Sequence, residues 1–500
     1  MKTAVKRGFG EYLKLAATHY SIMCVYFMLR LAYRVCYGFR LIGVEHMPTK
    51  GPAIIVPSDS QGLGGVLAQV LANIGLLEPF FASENVVGFM HEQLVANVFG
   101  RLPIRMRTYG LRPLRAGTQA LSLIDAYRQL VRGGIAIIAP EGDMCLDGKT
   151  VSVRNGCAWL GLRTAAPLIP LIPTAGCYDI WPFWQAAPKL TGRMSLIVGE
   201  PFTLTDHPLD AVHDQDLAAA RATIQKHIDG LRFGAGGVSA WEGQPLLHGR
   251  PAEHIRVRIC QPSTSYRPRA RRMARQGMAV LLFQCPMCGT NGSIVHRRRP
   301  LRQDTVRCGA CEAEWSVRRI PGKDFRLTLV HGPAEIQGLE MALSAWYARV
   351  KDELVVCPIE HVSGFALDDG ERALLLADDA RLITFEANAL AATGSEAEPP
   401  VTRSSGHLAL PANASLGQGR LLMTDRRLVW QREEGNLSFN WASVHAVHLV
   451  FRNLLAISYG AAFYMLHLGD ESAVRWLACA DRVLNGDDRS APRRVPVSPY

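Results

Sequence analysis

Apolar positions along the chain change period several times, and each change predicts a boundary. Leu15–Leu29 runs fifteen residues without Lys, Arg, Asp or Glu, short of the roughly 20 that a spanning helix needs. Arg30 and Arg34 then join a pattern that continues to Phe39, with Tyr20, Tyr26, Tyr33 and Tyr37 along it. Aromatic, amphipathic and basic, this stretch predicts a helix over 8–39 lying in a membrane interface, with a tilted span or a soluble helix packed on the next domain as the alternatives, and sets residues 1–41 apart. Its acidic and basic interruptions and the absence of a small-residue cleavage site do not fit a signal peptide.

From 42 to 235 short apolar runs alternate with helical spacing. Strands are expected at Ala53–Val56, Ile135–Ala139, Pro167–Pro173 and Ser195–Val198. Helices are expected at Gly65–Asn73, at Arg115–Arg132 with Ala120, Ile124, Tyr127 and Val131 on its apolar stripe, at Asn155–Thr164, and at Ala211–Leu231. Such alternation predicts an α/β fold with a largely parallel sheet covered on both faces. Residues 236–280 lose periodicity and gain Gly, Pro, Ser and Arg, as a linker does. Residues 281–320 form a small cysteine-bearing β module. Residues 321–485 read as mostly β: Gly419–Trp430 is a strand, a turn at Asp425-Arg426 and a strand, and Trp441–Leu449, Leu454–Ser458 and Phe463–Leu468 are further strands. Glu371–Ala387 supplies either the first strands or a linking unit. Glu471–Leu484 closes the domain as a helix, with Asp470 as its cap and Ala473, Trp476, Leu477, Ala480 and Leu484 on one face. Residues 486–500, polar with Pro and Arg, are expected to be a disordered tail.

Composition sharpens two points. Hydrophobic residues make up 48% of 500, so several packed cores are affordable. The net charge is +11, and between Arg250 and Arg319 there are fifteen arginines against four acids, an excess equal to that of the whole chain. A concentrated basic belt attracts anionic lipid headgroups or nucleic acid. Of the twelve cysteines, four form two close pairs, which speaks for a reducing compartment and a metal site, not a disulfide framework.

Those pairs are Cys285-Pro-Met-Cys288 and Cys308-Gly-Ala-Cys311. The spacing matches a four-thiolate zinc ribbon, with Cys285, Cys288, Cys308 and Cys311 as ligands of a structural Zn and Gly289 and Gly309 easing the two turns. A closed set of four sulfurs leaves no open position for catalysis. His296-Arg297-Arg298-Arg299, between the pairs, is expected at an exposed hairpin tip that meets lipid phosphate, nucleic acid or another domain. Few stacking aromatics are interleaved with these arginines, which disfavours nucleic acid without excluding it.

Four blocks of residues 42–235 together resemble the lysophospholipid acyltransferase family: Gly43–Val56 (GVEHMPTKGPAIIV), Ala139–Gly142 (APEG), Asn155–Pro173 (NGCAWLGLRTAAPLIPLIP) and Val198–Pro201 (VGEP). The resemblance implies acyl transfer from acyl-CoA or acyl carrier protein to a lysophospholipid hydroxyl at the membrane. It also implies an Asn-His-four-residue-Asp motif, in which His takes the hydroxyl proton and Asp orients the imidazole. Here Asp59 stands at the His position and Gly64 at the Asp position. An aspartate with a pKa of about 4 is a weak base for an alcohol, and glycine orients nothing. Asp59 is then either a base with a strongly raised pKa or a polar strand-end residue capping the next helix. His46 and His91, the latter in an expected helix, are the alternative bases. Arg101, Arg105 and Arg107 replace the family's second motif as candidate phosphate ligands. Glu141 and Gly142 remain from the third, implied to hold the glycerophosphate region of the acceptor, or else Glu141 pairs with an arginine.

The C-terminal strands and closing helix, with LLMTDRRLVW at their centre, resemble the pleckstrin-homology superfold. That resemblance implies a lipid or protein partner, with Arg426 and Arg427 as lipid-contact candidates. Three functional readings follow: a membrane acyltransferase, a non-catalytic lipid-binding adaptor on the same scaffold, and a zinc protein associated with nucleic acid. The first two place the chain peripherally on the cytoplasmic face of a membrane.

Overall fold

The structure is a computed structural model that describes residues 28, 31, 34–58, 86–91, 111–114, 119–142, 145–147, 151–185, 188–189, 191–233, 246–248, 250–251, 277–298, 303–319, 325–354, 358–385, 415–432, 435–460, 462–469, 471–486 and 497–498. Of the helix expected over 8–39, these include residues 34–37 as helix, with Met28, Leu31 and Val35 exposed. Met28 and Leu31 are also helical, Gly38 and Phe39 are not, and the remainder of that stretch and the helix expected at Gly65–Asn73 lie outside the described residues. Among the described residues no helix is long and apolar enough to cross a membrane.

The N-terminal region is mixed α/β. Its elements are β1 (Arg40–Ile42), β2 (Ala53–Pro57), β3 (Val86–His91), β4 (Leu111–Leu114), α1 (Gln119–Val131), β5 (Ile135–Ile137), α2 (Asn155–Thr164), β6 (Leu168–Pro173), α3 (Ala175–Ile180), β7 (Ser195–Val198) and α4 (Asp214–Phe233). The strand order is β1-β7-β6-β2-β5-β3-β4, and only the β6–β7 pair is antiparallel. Successive side chains of a strand point to opposite faces. Accordingly Ala53, Ile55, Ile135 and Ile137 fill one core with Tyr37, Cys177 and Ile180. Ile54, Val56 and Ala136 fill the other, against α1, α2 and α4. The apolar stripe of α1 differs in part from the expected one: Tyr127 packs as expected, with Leu123, beside buried Ala126 and Leu130, while Ile124 and Val131 face solvent. A spacing of three and four fits more than one face of a helix, and packing on the sheet selects the face that carries Ala126 and Leu130. His91, expected on a helix, ends strand β3.

A second sheet is built from β8 (Leu246–Leu247), β9 (Arg250–Pro251), β10 (Ile294–Arg297), β11 (Asp304–Cys308), β12 (Glu314–Arg319), β13 (Phe325–His331) and β14 (Leu339–Ala342), followed by α5 (Leu343–Asp352). Its order is β10-β11-β12-β13-β14-β8-β9, antiparallel throughout. The cysteine strands are thus continuous with strands beyond residue 320. Gly277–Val280, at the end of the expected linker, form a buried 3-10 turn.

The third sheet contains β15 (Ala373–Phe385), β16 (Ser415–Thr424), β17 (Arg427–Arg432), β18 (Gly435–Asn440), β19 (Val444–Phe451), β20 (Leu454–Tyr459) and β21 (Ala462–His467), then α6 (Ala473–Asn485) and β22 (Val497–Ser498). Its order is β18-β17-β16-β15-β21-β20-β19-β22. The segment around Glu371–Ala387 therefore opens this sheet as β15. The cap of α6 is Ser472, whose hydroxyl accepts from the Arg475 N–H; Asp470, the expected cap, lies outside the described residues. Trp441–Ser443 form a 3-10 turn before β19, where a strand was expected. Val497–Ser498, within the tail expected to be unstructured, pair in parallel with Val447 and His448. One core runs through the second and third sheets and takes in Leu146, Tyr178, Phe183 and Trp184 of the α/β region.

Candidate functional site

Strands β2 and β5 run in parallel and leave the α/β sheet at the same carboxyl edge. From β2 the chain moves to β3 on one side, and from β5 it returns to β6 on the other. The connections from these two adjacent strands run in opposite directions, each past the other strand, the kind of switch point at which open α/β sheets form crevices for ligands. Ser58 follows β2, and its hydroxyl donates to Glu141 Oε1 at 2.5 Å. Its N–H donates to the Leu171 carbonyl at 3.1 Å, which fixes the strand end against β6. Both Ser58 and Glu141 are fully buried.

Glu141 sits on the turn after β5. Gly142 there has φ of +66°, a region that costs an L-residue about 1–2 kcal/mol. A Cβ at Gly142 would also come within 3.3 Å of Arg154 Cδ. Arg154 closes the turn with its N–H to the Pro140 carbonyl at 2.8 Å and its Nε to the Glu141 carbonyl at 3.0 Å. Behind them, Cys157 is buried on α2. Burial first, and the Glu141 charge second, push its thiol up to about 12, so this cysteine stays protonated and unreactive.

Asp59 adjoins Ser58 in sequence but, like Gly64, Arg101, Arg105 and Arg107, lies outside the described residues. His46 lies beside β7, which β6 separates from β2, and its Nδ1 is 3.0 Å from the carbonyl of Val198. Sequence reasoning missed Ser58 and Arg154. Their only signals are the strand ending at Pro57 and an arginine just ahead of a helix.

The four cysteines come together. Their sulfurs all lie within 4.8 Å of one another. Cys285 and Cys311 sulfurs are 3.7 Å apart, and those of Cys288 and Cys308 3.8 Å. A tetrahedron of sulfurs about 2.3 Å from a central ion has edges of about 3.8 Å, so the set fits one metal ion. Main-chain N–H groups turn inward to the sulfurs, from Met287 to Cys285 and from Ala310 and Cys311 to Cys308. Sulfur hydrogen bonds within the cluster, that with Cys288 first, hold the Cys285 thiol well above its ordinary range, whereas the bond from Cys285 draws Cys308 well below it. Four thiols this close cannot all ionise without a cation. At the first turn Gly289 has φ of +67°, as its residue type suggests. At the second the left-handed residue is Glu312, at +62°, and not Gly309.

Of the basic tip between the pairs, Arg297 and Arg298 are exposed as expected, Arg299 lies outside the described residues, and His296 does not stand free. The His296 side chain is 1% exposed, and its ring meets Trp184 edge-on with centroids 5.7 Å apart. The Arg298 guanidinium lies 5.9 Å from the Trp184 ring centroid. Arg427 is also committed within its own domain. Its Nε and Nη2 donate to both oxygens of buried Glu371 at 2.9 and 2.8 Å, and Thr424 adds a hydroxyl bond at 2.6 Å. The Thr424 hydroxyl oxygen in turn accepts from the N–H groups of Arg426 and Arg427. The phrase Thr-Asp-Arg-Arg is therefore a hairpin turn tied to a buried carboxylate, with Arg426 alone exposed.

Among solved structures the chain is similar to the crystal structure of the 1-acyl-sn-glycerophosphate (LPA) acyltransferase PlsC from Thermotoga maritima. The two are 18% identical, with a TM-score of 0.31 over 44% of this chain and 83% of that one. A likeness at that score assigns no residue a role. No protein-family model and no curated protein matches the chain.

Proposed function

We propose that the chain is a peripheral membrane protein on an acyltransferase-type α/β scaffold. It binds a lysophospholipid-like molecule at the carboxyl edge of its sheet and does not transfer acyl groups by a His-Asp route. The observation that carries this reading is the Ser58–Glu141 hydrogen bond at the switch point between β2 and β5. It joins the end of the strand that follows from the first acyltransferase-like block to Glu141 of the second, 83 residues on. The other two blocks supply α2, β6 and the end of β7, and β6 lies directly beside β2. The scaffold thus supports a lipid site next to Asp59, with Arg101, Arg105 and Arg107 offered as phosphate ligands. What the chain lacks is the imidazole, and general base catalysis contributes roughly 10²–10⁴-fold.

Zinc is the ion proposed for the cysteines, because four thiolates in a tetrahedron suit it and a closed set serves structure. The third sheet with α6 is offered as a pleckstrin-homology-like unit for a protein or lipid partner; its strands followed by one sealing helix support that. The cytoplasmic face of a membrane is the proposed location, supported by the metal-type cysteine pairs and the basic belt.

The test uses the purified full chain with acyl-CoA and acyl carrier protein donors and a panel of lysophospholipids, beside vesicle flotation with the same lipids. Lipid binding without turnover is expected. Turnover lost in Asp59→Ala would make Asp59 a base and remove the non-catalytic half of the proposal. Absence of both turnover and lipid binding would remove the lipid site. An Asp59→His, Gly64→Asp double variant that gains turnover would show the missing pair to be the deficit. Elemental analysis is expected to find about one zinc per chain.

A further inference from the structure

Trp184 follows α3 in sequence, yet its surroundings belong largely to the second sheet. It is 2% exposed, with the Phe325 ring 5.1 Å away, the His296 ring 5.7 Å away and the Arg298 guanidinium over its face. Tyr178, on α3, meets Phe325 edge-on at 6.3 Å, and its hydroxyl donates to the Leu146 carbonyl at 3.1 Å. Leu146, Tyr178, Phe183 and Trp184 share a core with Cys285 and Cys308, and none of them belongs to the two cores that flank the α/β sheet. This surface is therefore held by the cysteine sheet and not by its own module.

The link between the two is β10. His296 on that strand is gripped from three sides. Its Nδ1 accepts from the Met278 N–H at 3.3 Å, its Nε2 is 3.5 Å from the Asp304 carboxylate, and Trp184 covers it. Gly277 leaves the room this needs, because a Cβ there would fall 2.1 Å from His296 Nδ1. Yet β10 ends its sheet and has one paired neighbour, β11. The start of β10 is fixed by a cysteine ligand. Ile294 pairs opposite Cys308, the Ser293 carbonyl accepts from the Gly309 N–H at 2.7 Å, and Ser293 Oγ lies 3.2 Å from Cys308 Sγ.

We propose that the metal-loaded cysteine centre is a clamp. By holding β10 in place it seats the Leu146–Tyr178–Trp184 surface on the second sheet, and loss of the ion releases that surface while the α/β sheet stays folded. Leu146 lies five residues in sequence after Glu141 of the strand-end site. The inference stands whether or not that site binds lipid.

The experiment is hydrogen–deuterium exchange on the full chain, first as purified with its metal content measured, then with a high-affinity chelator, then with zinc restored. Release raises exchange about tenfold or more in segments that lose their packing. On chelation that rise is expected at 178–185 and 294–297 together, reversed by zinc, with 168–173 and 195–198 unchanged. Trp184→Ala, or Trp184→Phe should the first not fold, is expected to raise exchange at 178–185 with the metal retained. Unchanged protection at 178–185 after chelation overturns the clamp. So does a simultaneous rise in 168–173, which would mean global unfolding, and so does a chain that binds no metal.

Discussion

At the scale of single residues, Glu371 is a carboxylate whose side chain has no exposed surface, so its charge must be answered inside the protein. Burial works to raise its pKa, but the bidentate Arg427 and the Thr424 hydroxyl prevail and hold it below the ordinary range. A depressed folded value stabilises the fold above the unfolded pKa of about 4.3, and that contribution is lost as pH falls through the folded value. Glu371→Gln removes the charge and leaves Arg427 facing an amide. Breaking a buried pair costs about 3 kcal/mol, and the variant is expected to lose that much at pH 7 by denaturant unfolding. Below about pH 4 its deficit should shrink; a constant deficit would show that shape, not charge, matters there. The two metal turns offer a second comparison. Gly289→Ala puts a Cβ on a left-handed residue, which costs about 1–2 kcal/mol, and is expected to weaken metal retention against a chromophoric chelator. Glu312→Gly removes the same strain, offset by greater freedom of the unfolded chain, and is expected to change retention by less than about 1 kcal/mol.

Among elements, α1 gives the sharpest contrast. Leu130 and Val131 are adjacent, apolar and helical, yet Leu130 is 2% exposed and Val131 65%. Truncating a buried leucine typically costs about 2–5 kcal/mol, whereas exposed positions stay within about 0.5 kcal/mol. Leu130→Ala is therefore expected to lower the unfolding midpoint markedly and Val131→Ala hardly at all. Equal losses would mean that α1 packs on the face read from sequence. The difference shows what a sequence encodes legibly. Asn155–Thr164 and Ser195–Val198 were readable to the residue because apolar runs bounded by polar residues carry their own ends. The cysteine site was readable because each pair of ligands is local. The Ser58–Glu141 and Glu371–Arg427 bonds were not, since they join residues 83 and 56 apart and arise only when strands become neighbours. Strand β18 escaped notice for a different reason: it is an edge strand exposed at all but Phe439, with no apolar alternation to announce it.

For the whole molecule, the question is where the charge acts. Fifteen arginines between 250 and 319 carry an excess equal to the full +11 of the chain. Within that belt Arg307 pairs with Glu312, Arg318 reaches Glu340 and Arg298 lies on Trp184. Exposed pairs of this kind contribute little, about 0–1 kcal/mol, and leave the surrounding field positive. A positive field attracts any polyanion, so attraction alone does not distinguish a membrane from nucleic acid. Apolar insertion does. Met28, Leu31 and Val35 are exposed near the N-terminus, and membrane binding that buries apolar groups is less sensitive to salt than binding by charge alone. Nucleic-acid binding by the belt would instead fall steeply with salt through counterion release. Flotation with vesicles containing anionic lipid, repeated from about 50 to about 500 mM salt, is expected to leave a salt-resistant fraction. Leu31→Glu combined with Val35→Glu should abolish that fraction and spare the low-salt part. Retention that vanishes entirely by high salt, matched by equally tight binding to RNA or DNA at low salt, would favour nucleic acid over lipid as the belt's partner.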